Sequence, residues 1–173
     1  AGGPGSGKSF MVGKTALTSF GMKLINSDPA FEKQLAKAGL KATPDDIFTD
    51  KGQAARTVAK TLTAKQMTLA VNGRLGLVID GTGKDFNKIS GQASKLKQLG
   101  YEVAMIFVNT DLETAINRDQ KRARTLGAKE VTGMWKDVQK NIGKFQNLFG
   151  NMMVIVDNSD GANYEGAAMT AYK

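Results

Sequence analysis

The stretch GGPGSGKS at residues 2–9 fits the pattern G-x-x-x-x-G-K-[ST], and the rest of the chain is interpreted from it. Glycines allow backbone conformations that are closed to other residues, so successive N–H groups can converge on phosphate oxygens. The helix predicted to follow adds its positive N-terminal end. A flexible glycine-rich terminus is the alternative, but Lys8 and Ser9 at this spacing, ahead of an amphipathic pattern, favour a phosphate-binding loop.

The fixed positions of this loop have expected contacts with a nucleotide. Lys8 is expected to reach the β- and γ-phosphates, which makes it a predicted catalytic residue, and the Ser9 hydroxyl is expected to ligate Mg²⁺. The predicted nucleotide contacts are Gly2, Gly3, Pro4, Gly5, Ser6, Gly7, Lys8, Ser9 and Phe10.

Short apolar runs outside the loop predict strands, and helical patterns separate them. The runs are MKLIN (22–26), LGLVID (75–80), YEVAMIFVN (101–109) and MMVIVD (152–157). The predicted helices cover residues 9–20, 29–38, 51–71, 87–99, 111–125 and 130–148. This alternation predicts an α/β fold of three layers, in which helices cover both faces of a parallel sheet.

The strand that leads into such a loop is the anomaly of this sequence. In this motif a buried strand precedes the loop, yet only Ala1 stands before Gly2. We expect the first strand of the sheet to be missing from the chain. The less favoured alternative is that the C-terminal segment or another chain supplies it.

Composition excludes several kinds of chemistry. The 173 residues suffice for one domain with a substantial core, and no apolar run is long enough to span a bilayer. Because the chain has no Cys and no His, acid–base chemistry falls to Asp, Glu, Lys or Tyr. The net charge of +8 indicates either anionic partners or a solvated lysine-rich surface. We expect a soluble protein of the cytoplasm.

Asp28, in the sequence INSDP, is the candidate general base. It follows the first apolar run, and ligands of open parallel sheets lie beyond the carboxyl ends of the strands. A carboxylate there can accept the proton of an attacking hydroxyl during phosphoryl transfer, so Asp28 is also a predicted substrate contact. The structural alternative is a helix N-cap, since Asp28 precedes Pro29 at the start of a predicted helix.

The segment LVIDGTGK (77–84) contains a second acidic candidate. Asp80 ends an apolar strand, which is the usual place for a water-mediated contact with the magnesium ion of a phosphate-binding loop. Thr82 and Lys84 stand next to glycines and are predicted to contact the substrate. An ordinary Asp-Gly turn is the alternative for this segment.

Basic residues cluster in INRDQKRARTL (116–126), at the end of a predicted helix. Guanidinium groups can stabilise the oxygens of a transferring phosphoryl group, and a mobile lid can exclude water. Arg118 and Arg122 share a predicted helical face and are the predicted catalytic arginines, while Arg124 is a predicted nucleotide contact. A basic helix C-terminus favoured by the helix dipole is the alternative.

Over nearly the whole chain, the sequence resembles the zeta-toxin and polynucleotide-kinase-like group of P-loop kinases. The resemblance is carried, in order, by the loop, INSD, LVIDGTGKD, NRDQKRARTL and VIVDNS. The chain is most similar to the zeta-toxin-type or AAA-labelled kinases of tailed bacteriophages. The resemblance implies a single P-loop kinase domain over residues 1–173, with a lid-like segment around 118–131 and the sheet order 2-3-1-4-5 of nucleoside monophosphate kinases. It also implies ATP with Mg²⁺ as the phosphate donor, and host cytoplasm as the location of a phage-encoded protein.

The same resemblance assigns roles to individual residues. It implies that Asp28 is the base, that Asp80 takes the acidic strand-end position, and that Asn158 lies near the adenine. Arg118 and Arg122 match lid arginines. Two positions depart from the pattern: zeta toxins carry Glu where Asp80 stands, and polynucleotide kinases carry Arg where this chain has Phe31.

We therefore expect an ATP-dependent kinase that phosphorylates a hydroxyl of a small molecule such as a nucleotide or nucleotide sugar. A nucleotide-binding switch without an acceptor and a polynucleotide 5′-hydroxyl kinase remain alternatives. Nucleic acid is a less favoured partner, and a membrane is not expected. Arg56 and Lys60, one helical turn apart, could meet a substrate phosphate, but a solvated face is the favoured interpretation.

Overall fold

The computed structural model describes residues 1–14, 17–122 and 125–162, and the chain divides into two compact units. The first unit contains residues 1–11, 81–119 and those from 127 onward; the second contains residues 12–80 and 120–126. The elements, in chain order, are α1 (Lys8–Lys14), β1 (Lys23–Ile25), α2 (Asp28–Lys37), α3 (Pro44–Ile47), α4 (Asp50–Asn72), β2 (Leu77–Ile79), α5 (Phe86–Gln98), β3 (Met105–Asn109), α6 (Leu112–Gln120), α7 (Ala128–Gln139), α8 (Ile142–Phe149) and β4 (Met153–Asp157). Short 3₁₀ segments cover Leu17–Phe20 and Gly150–Met152.

In the first unit, β3 pairs in parallel with β4 along its whole length. The other edge of β3 pairs with Ala1, whose amino group donates to the carbonyl oxygen of Ile106 at 2.6 Å and whose carbonyl oxygen accepts from the N–H of Val108 at 2.7 Å. These two bonds attach the start of the glycine-rich loop to the sheet. Ala1 thus lies where a strand that enters the loop would pair.

Aromatic rings fill the core of the first unit. Phe107 on β3 and Phe145 on α8 are both completely buried, with ring centroids 6.4 Å apart. Phe86, at the start of α5, lies 5.4 Å from the Phe145 ring. The buried members of this cluster are Ala93, Met105, Phe107, Val138, Phe145 and Phe149. The packing fixes β3, and with it the loop that pairs to its edge, against the helices.

In the second unit, β1 and β2 pair in parallel, with Ile25 beside Ile79 at their last positions. A separate core lies between the helices, and its buried members are Phe31, Leu35, Ile47, Ala55 and Ala59. The small side chains on α4 let α2 and α3 approach it closely. α4 is the longest helix at 23 residues. Among the described residues no helix is both long and apolar enough to cross a membrane.

The prediction of one helix over residues 130–148 was wrong. α7 ends at Gln139 and α8 begins at Ile142, with the buried Asn141 between them. The side-chain amide of Asn141 donates to the carbonyl oxygens of Gly83 and Lys84 at 3.1 and 2.8 Å. Asn is a weak former of helix interiors, and here its amide satisfies the turn that follows β2.

The predicted helix over residues 111–125 ends earlier, at Gln120. The carboxylate of Asp119, which is 1% exposed, accepts a hydrogen bond from the backbone N–H of Gly127 at 3.0 Å. This bond ties the following loop back to the last turn of α6. Arg122 therefore lies beyond the helix, and the prediction that it shares a helical face with Arg118 was wrong.

Candidate functional site

The loop at residues 2–9 forms a compact turn ahead of α1. The backbone N–H of Ser6 donates to the carbonyl oxygen of Gly3 at 3.3 Å, and the N–H of Met11 donates to that of Gly7 at 3.0 Å. Residues 2–6 are buried, whereas Ser9 is exposed. The loop backbone is thus held by the first unit, and its C-terminal end reaches the surface.

Three glycines of the loop are each required by a different neighbour. A Cβ at Gly2 would collide with the carbonyl oxygen of Val108 on β3, and one at Gly5 would collide with the carbonyl group of Ala115 on α6. A Cβ at Gly7 would collide with the side-chain amide of Asn158. Gly5 and Gly7 also have φ angles of 72° and 84°, which disfavour residues with a side chain.

The last three predicted nucleotide contacts, Lys8, Ser9 and Phe10, lie at the C-terminal end of the loop. The amino group of Lys8 donates to the carbonyl oxygen of Gly3 at 2.9 Å, so this side chain folds back across the loop. Ser9 is exposed at the start of α1, and the ring of Phe10 is 46% exposed. The Lys8 ammonium thus lies against the glycine-rich turn, where its positive charge favours an anionic phosphate.

Asn158 follows β4 and supports the loop from the side. Its side-chain amide donates to the carbonyl oxygen of Ser6 at 2.8 Å, and its backbone N–H donates to the carbonyl oxygen of Asn109 at 2.9 Å. With 6% exposure it is a buried part of the loop's support. The contact with adenine that the resemblance implies remains a prediction.

Arg118, in the last turn of α6, is held by the same segment after β4. Its guanidinium donates to the carbonyl oxygen of Asn158 at 2.8 Å and to the carboxylate of Asp160 at 2.6 Å. The side chain of Arg118 is 30% exposed and that of Asp160 is 68% exposed, so this ion pair is at the surface. Arg122 is exposed beyond the helix, and Arg124 lies outside the described residues.

A hydrogen-bond network attaches the start of α6 to the segment after β4. The carboxylate of Asp111 accepts from the backbone N–H and the hydroxyl of Thr114, both at 2.7 Å. The backbone N–H of Asp111 donates to the hydroxyl of Ser159 at 2.9 Å, and that of Asp160 donates to the Thr114 hydroxyl at 3.2 Å. The bonds from Thr114, the backbone one foremost, lower the pKa of the Asp111 carboxyl below its ordinary value.

A comparison with protein families agrees with this geometry. The family model described as "AAA domain" matches residues 1–141, which include the loop, α6 and all of α7. The chain belongs to the AAA domain family. This is a family of the P-loop NTPase type that includes kinases, and the AAA domain is a nucleotide-binding domain with the P-loop NTPase fold. No curated protein matches the chain.

The carboxylate candidates of this AAA domain lie in its second unit. Asn26 directly follows β1, and its side-chain amide donates to the Asp80 carboxylate at 3.1 Å while its side-chain oxygen accepts from the N–H of Asp28 at 2.8 Å. Asp80 continues the strand pairing, because its N–H donates to the carbonyl oxygen of Ile25 at 3.0 Å. Asn26 therefore links the two residues at the carboxyl ends of β1 and β2.

The N-cap alternative for Asp28 was wrong. Ser27 occupies the N-cap position of α2, without a capping bond from its side chain, and Asp28 is the first residue of the helix. Asp28 is exposed, so its carboxylate is accessible to a ligand. A carboxylate in the first turn is also favoured by the helix dipole.

The turn after β2 contains the two weaker substrate candidates. Thr82 is half-buried and Lys84 is exposed, and the carbonyl oxygens of Gly83 and Lys84 are held by Asn141. Asn141, the residue directly before α8, thus fixes the backbone of the turn, while the Lys84 side chain is exposed to solvent. Contact with a substrate remains a prediction for both residues.

P-loop NTPases typically bind ATP or GTP with Mg²⁺, and the donors of this AAA domain suit that ion. Within the described part of the chain no cluster of three or more Asp, Glu, His or Cys could hold a metal by itself. Mg²⁺ at phosphates is commonly held by one or two protein oxygens, with phosphates and water completing the octahedron. The exposed Ser9 hydroxyl and the Asp80 carboxylate, which accepts a hydrogen bond from Asn26, are each oxygen donors of the kind that Mg²⁺ takes. That the two bind one ion remains a prediction.

Sequence reasoning missed Asn26, Asp111 and Asp160 as parts of these arrangements. The position of Asn26 at a strand end, two residues before Asp28, was a usable signal. So was the spacing of Asp111 and Thr114, which is typical of a helix N-terminus. Asp160 had no local signal, because its partner Arg118 is 42 residues away in the sequence.

Proposed function

We propose that this AAA domain is an ATP-dependent phosphotransferase that phosphorylates a hydroxyl of a small molecule, a nucleotide or nucleotide sugar being the favoured class. The observation that carries the proposal is the pair Asp28 and Asp80, joined through Asn26 at the carboxyl ends of two parallel strands. In a chain without His or Cys, an accessible carboxylate at that place is the group best suited to act as a base.

The donor side of the proposal rests on the glycine loop, Asp80 and the candidate arginines. The loop's N–H groups and the Lys8 ammonium bind the ATP phosphates, while Ser9 and Asp80 supply oxygens for Mg²⁺. Bound Mg²⁺ would reduce the negative charge of the β- and γ-phosphates. Arg118 uses two of its five N–H donors in its described bonds, and Arg118, Arg122 and Arg124 remain our candidates for stabilising charge on the transferring group.

The acceptor side of the proposal rests on Asp28. Its carboxylate accepts the proton of the acceptor hydroxyl, and the hydroxyl oxygen forms a bond to the γ-phosphorus of ATP. The bond between that phosphorus and the β–γ bridging oxygen breaks, and ADP leaves with the electron pair. Thr82 and Lys84 are proposed to contact the acceptor.

The direct test is transfer of labelled γ-phosphate from ATP into a pool of small metabolites, with a 5′-hydroxyl oligonucleotide assayed in parallel. Lys8→Ala is the blank, and Lys14→Ala, which removes a lysine from the exposed end of α1, is the matched control. We expect a labelled small molecule with wild type and Lys14→Ala and none with Lys8→Ala. Absence of any labelled acceptor with wild type would contradict the proposal.

A nucleotide-binding switch without an acceptor is the second candidate. The observation that favours it is the ion pair at 2.6 Å between Arg118 and Asp160, since an arginine paired with a carboxylate has part of its charge already neutralised. The switch predicts ATP binding with phosphate release that no acceptor stimulates. Labelling of the oligonucleotide alone would instead support the polynucleotide kinase alternative.

A further inference from the structure

Arg56 on α4 is the charged side chain whose environment the proposed roles do not explain. The expectation of a solvated face was wrong for this residue: its guanidinium carbon lies 4.8 Å from the centroid of the Phe31 ring, and the residue is half-buried. Lys60, one turn further along the helix, is exposed. The two basic residues that the sequence made equivalent are therefore in different environments.

The guanidinium of Arg56 has an unmet hydrogen-bonding requirement. Its Nε atom is buried without a hydrogen-bond partner among the described residues. Buried N–H groups are almost always paired, so such a group calls for an explanation. The guanidinium also has two terminal amino groups, which are further donors for a ligand.

Arg56 contacts the helix that carries the proposed base. Phe31 is three residues after Asp28 on α2, so the two side chains are neighbours on one helical face. Phe31 is 4% exposed and belongs to the core of the second unit, which makes its ring a rigid surface for the guanidinium. Contact with the ring restricts the guanidinium, whose N–H groups can still donate to a planar or tetrahedral anion.

We propose that Arg56 binds a phosphate group of the acceptor, so that the acceptor is a phosphate ester with a free hydroxyl rather than a neutral alcohol. The inference rests on the proposed function for the role of Asp28. It names a specificity residue: Arg56 fixes the acceptor's anionic group, and Asp28 meets the hydroxyl. A guanidinium suits this task because it donates two parallel hydrogen bonds to phosphate oxygens.

The test measures binding of uridine monophosphate, uridine and inorganic phosphate to full-length protein whose ATP site is filled with a nonhydrolysable ATP analogue and Mg²⁺. Arg56→Gln removes the charge, and Lys60→Gln makes the same change at the exposed position. We expect uridine monophosphate and phosphate to bind wild type and Lys60→Gln alike, and Arg56→Gln at least about tenfold more weakly. Uridine, which lacks the phosphate, should bind all three proteins equally weakly.

Arg56→Lys keeps the charge and tests the geometry. A lysine cannot stack as a plane or donate a bidentate pair, so its phosphate affinity should lie between those of wild type and Arg56→Gln. Affinity for the ATP analogue should be unchanged in each variant, which also shows that the protein is folded.

Several outcomes would overturn the inference. The first is that uridine monophosphate and phosphate bind wild type no better than uridine does. The second is that Arg56→Gln and Lys60→Gln weaken phosphate binding equally. The third is that a 5′-hydroxyl oligonucleotide binds in an Arg56-dependent way while the monophosphate does not bind. Because binding is measured without transfer, the two failures are distinguishable: a chain that binds phosphate through Arg56 but labels no acceptor would refute the proposed function, and only a phosphate site at Arg56 would remain.

Discussion

The glycine loop and the carboxylate pair show two ways in which this chain builds a candidate site. In the loop the backbone makes the site, and β3, α6 and the segment after β4 each exclude a side chain from one glycine. In the second unit side chains make the site, and Asn26 bridges Asp80 and Asp28 through a single amide. The loop should therefore tolerate few substitutions, while the carboxylate arrangement should fail through the loss of individual hydrogen bonds.

The largest effect on stability is expected from Gly5→Ala. The new Cβ collides with the carbonyl group of Ala115 on a backbone whose φ of 72° is already unfavourable for alanine. We expect a loss of about 3 kcal/mol in the free energy of unfolding, measured with urea. Gly3→Ala is the control, because a Cβ at Gly3 meets no atom within 4 Å. Equal losses of stability in the two variants would show that the contact with Ala115 does not determine which residue fits at position 5.

Asn158→Ala should have the next largest effect. It leaves the carbonyl oxygen of Ser6 without the amide that donates to it at 2.8 Å in a buried position. An unsatisfied buried acceptor costs about 1–3 kcal/mol, and ATP-analogue affinity should fall with it because the loop loses its lateral support. Asn147→Ala on the exposed side of α8 should change neither quantity. Unchanged nucleotide affinity in Asn158→Ala would show that nucleotide binding by the loop does not depend on Asn158.

Asn26→Ala tests the side-chain arrangement. It removes the bond to the Asp80 carboxylate and the bond from the Asp28 N–H at once, in a half-buried position. We expect a loss of about 1 kcal/mol in unfolding free energy and a larger proportional loss in phosphate transfer, since the Asp80 carboxylate and the backbone that carries Asp28 become less well oriented. Asn72→Ala, at the exposed C-terminal end of α4, is the control. Transfer that survives unchanged would refute the positioning role of Asn26.

The smallest effect is expected from Asp111→Asn, and it should depend on pH. The pKa of Asp111 is lowered in the folded protein. The ionised carboxylate therefore stabilises the fold at every pH above 3.8, the pKa of this group in the unfolded chain. This contribution is lost as the pH falls through the lower folded pKa. Urea unfolding of wild type and Asp111→Asn should differ slightly near neutral pH and converge in strong acid. A difference that grows as the pH falls would contradict this sign.

The features that the sequence predicted are those determined by neighbouring residues. The loop was predicted because its glycines, Lys8 and Ser9 lie within eight consecutive positions. The four strands were predicted with longer bounds, since the apolar runs extend beyond the paired residues. The run from Tyr101 to Asn109, for example, begins four residues before β3 does. The break between α7 and α8 was missed, because Asn141 is satisfied by a turn more than fifty residues earlier.

The contacts within the candidate site could not be predicted for the same reason. Asn26 and Asp80 are 54 residues apart in the sequence, and Arg118 and Asp160 are 42 apart. A pattern can place a polar residue at a strand end, but the partner depends on which strands pair. The stacking of Arg56 on Phe31 likewise follows from the packing of α2 against α4. Helical spacing alone made Arg56 and Lys60 look alike.

The most direct test of the account is a joint measurement of phosphate transfer and ATP-analogue affinity in Asp28→Asn. The amide cannot accept the hydroxyl proton, so we expect transfer to fall by about 10²–10⁴-fold while nucleotide affinity changes by less than about twofold. Asp45→Asn, an exposed carboxylate in the first turn of α3, should leave both unchanged. Equal loss of transfer and affinity in Asp28→Asn, or no loss of transfer, would contradict the proposal that Asp28 is the base of a kinase.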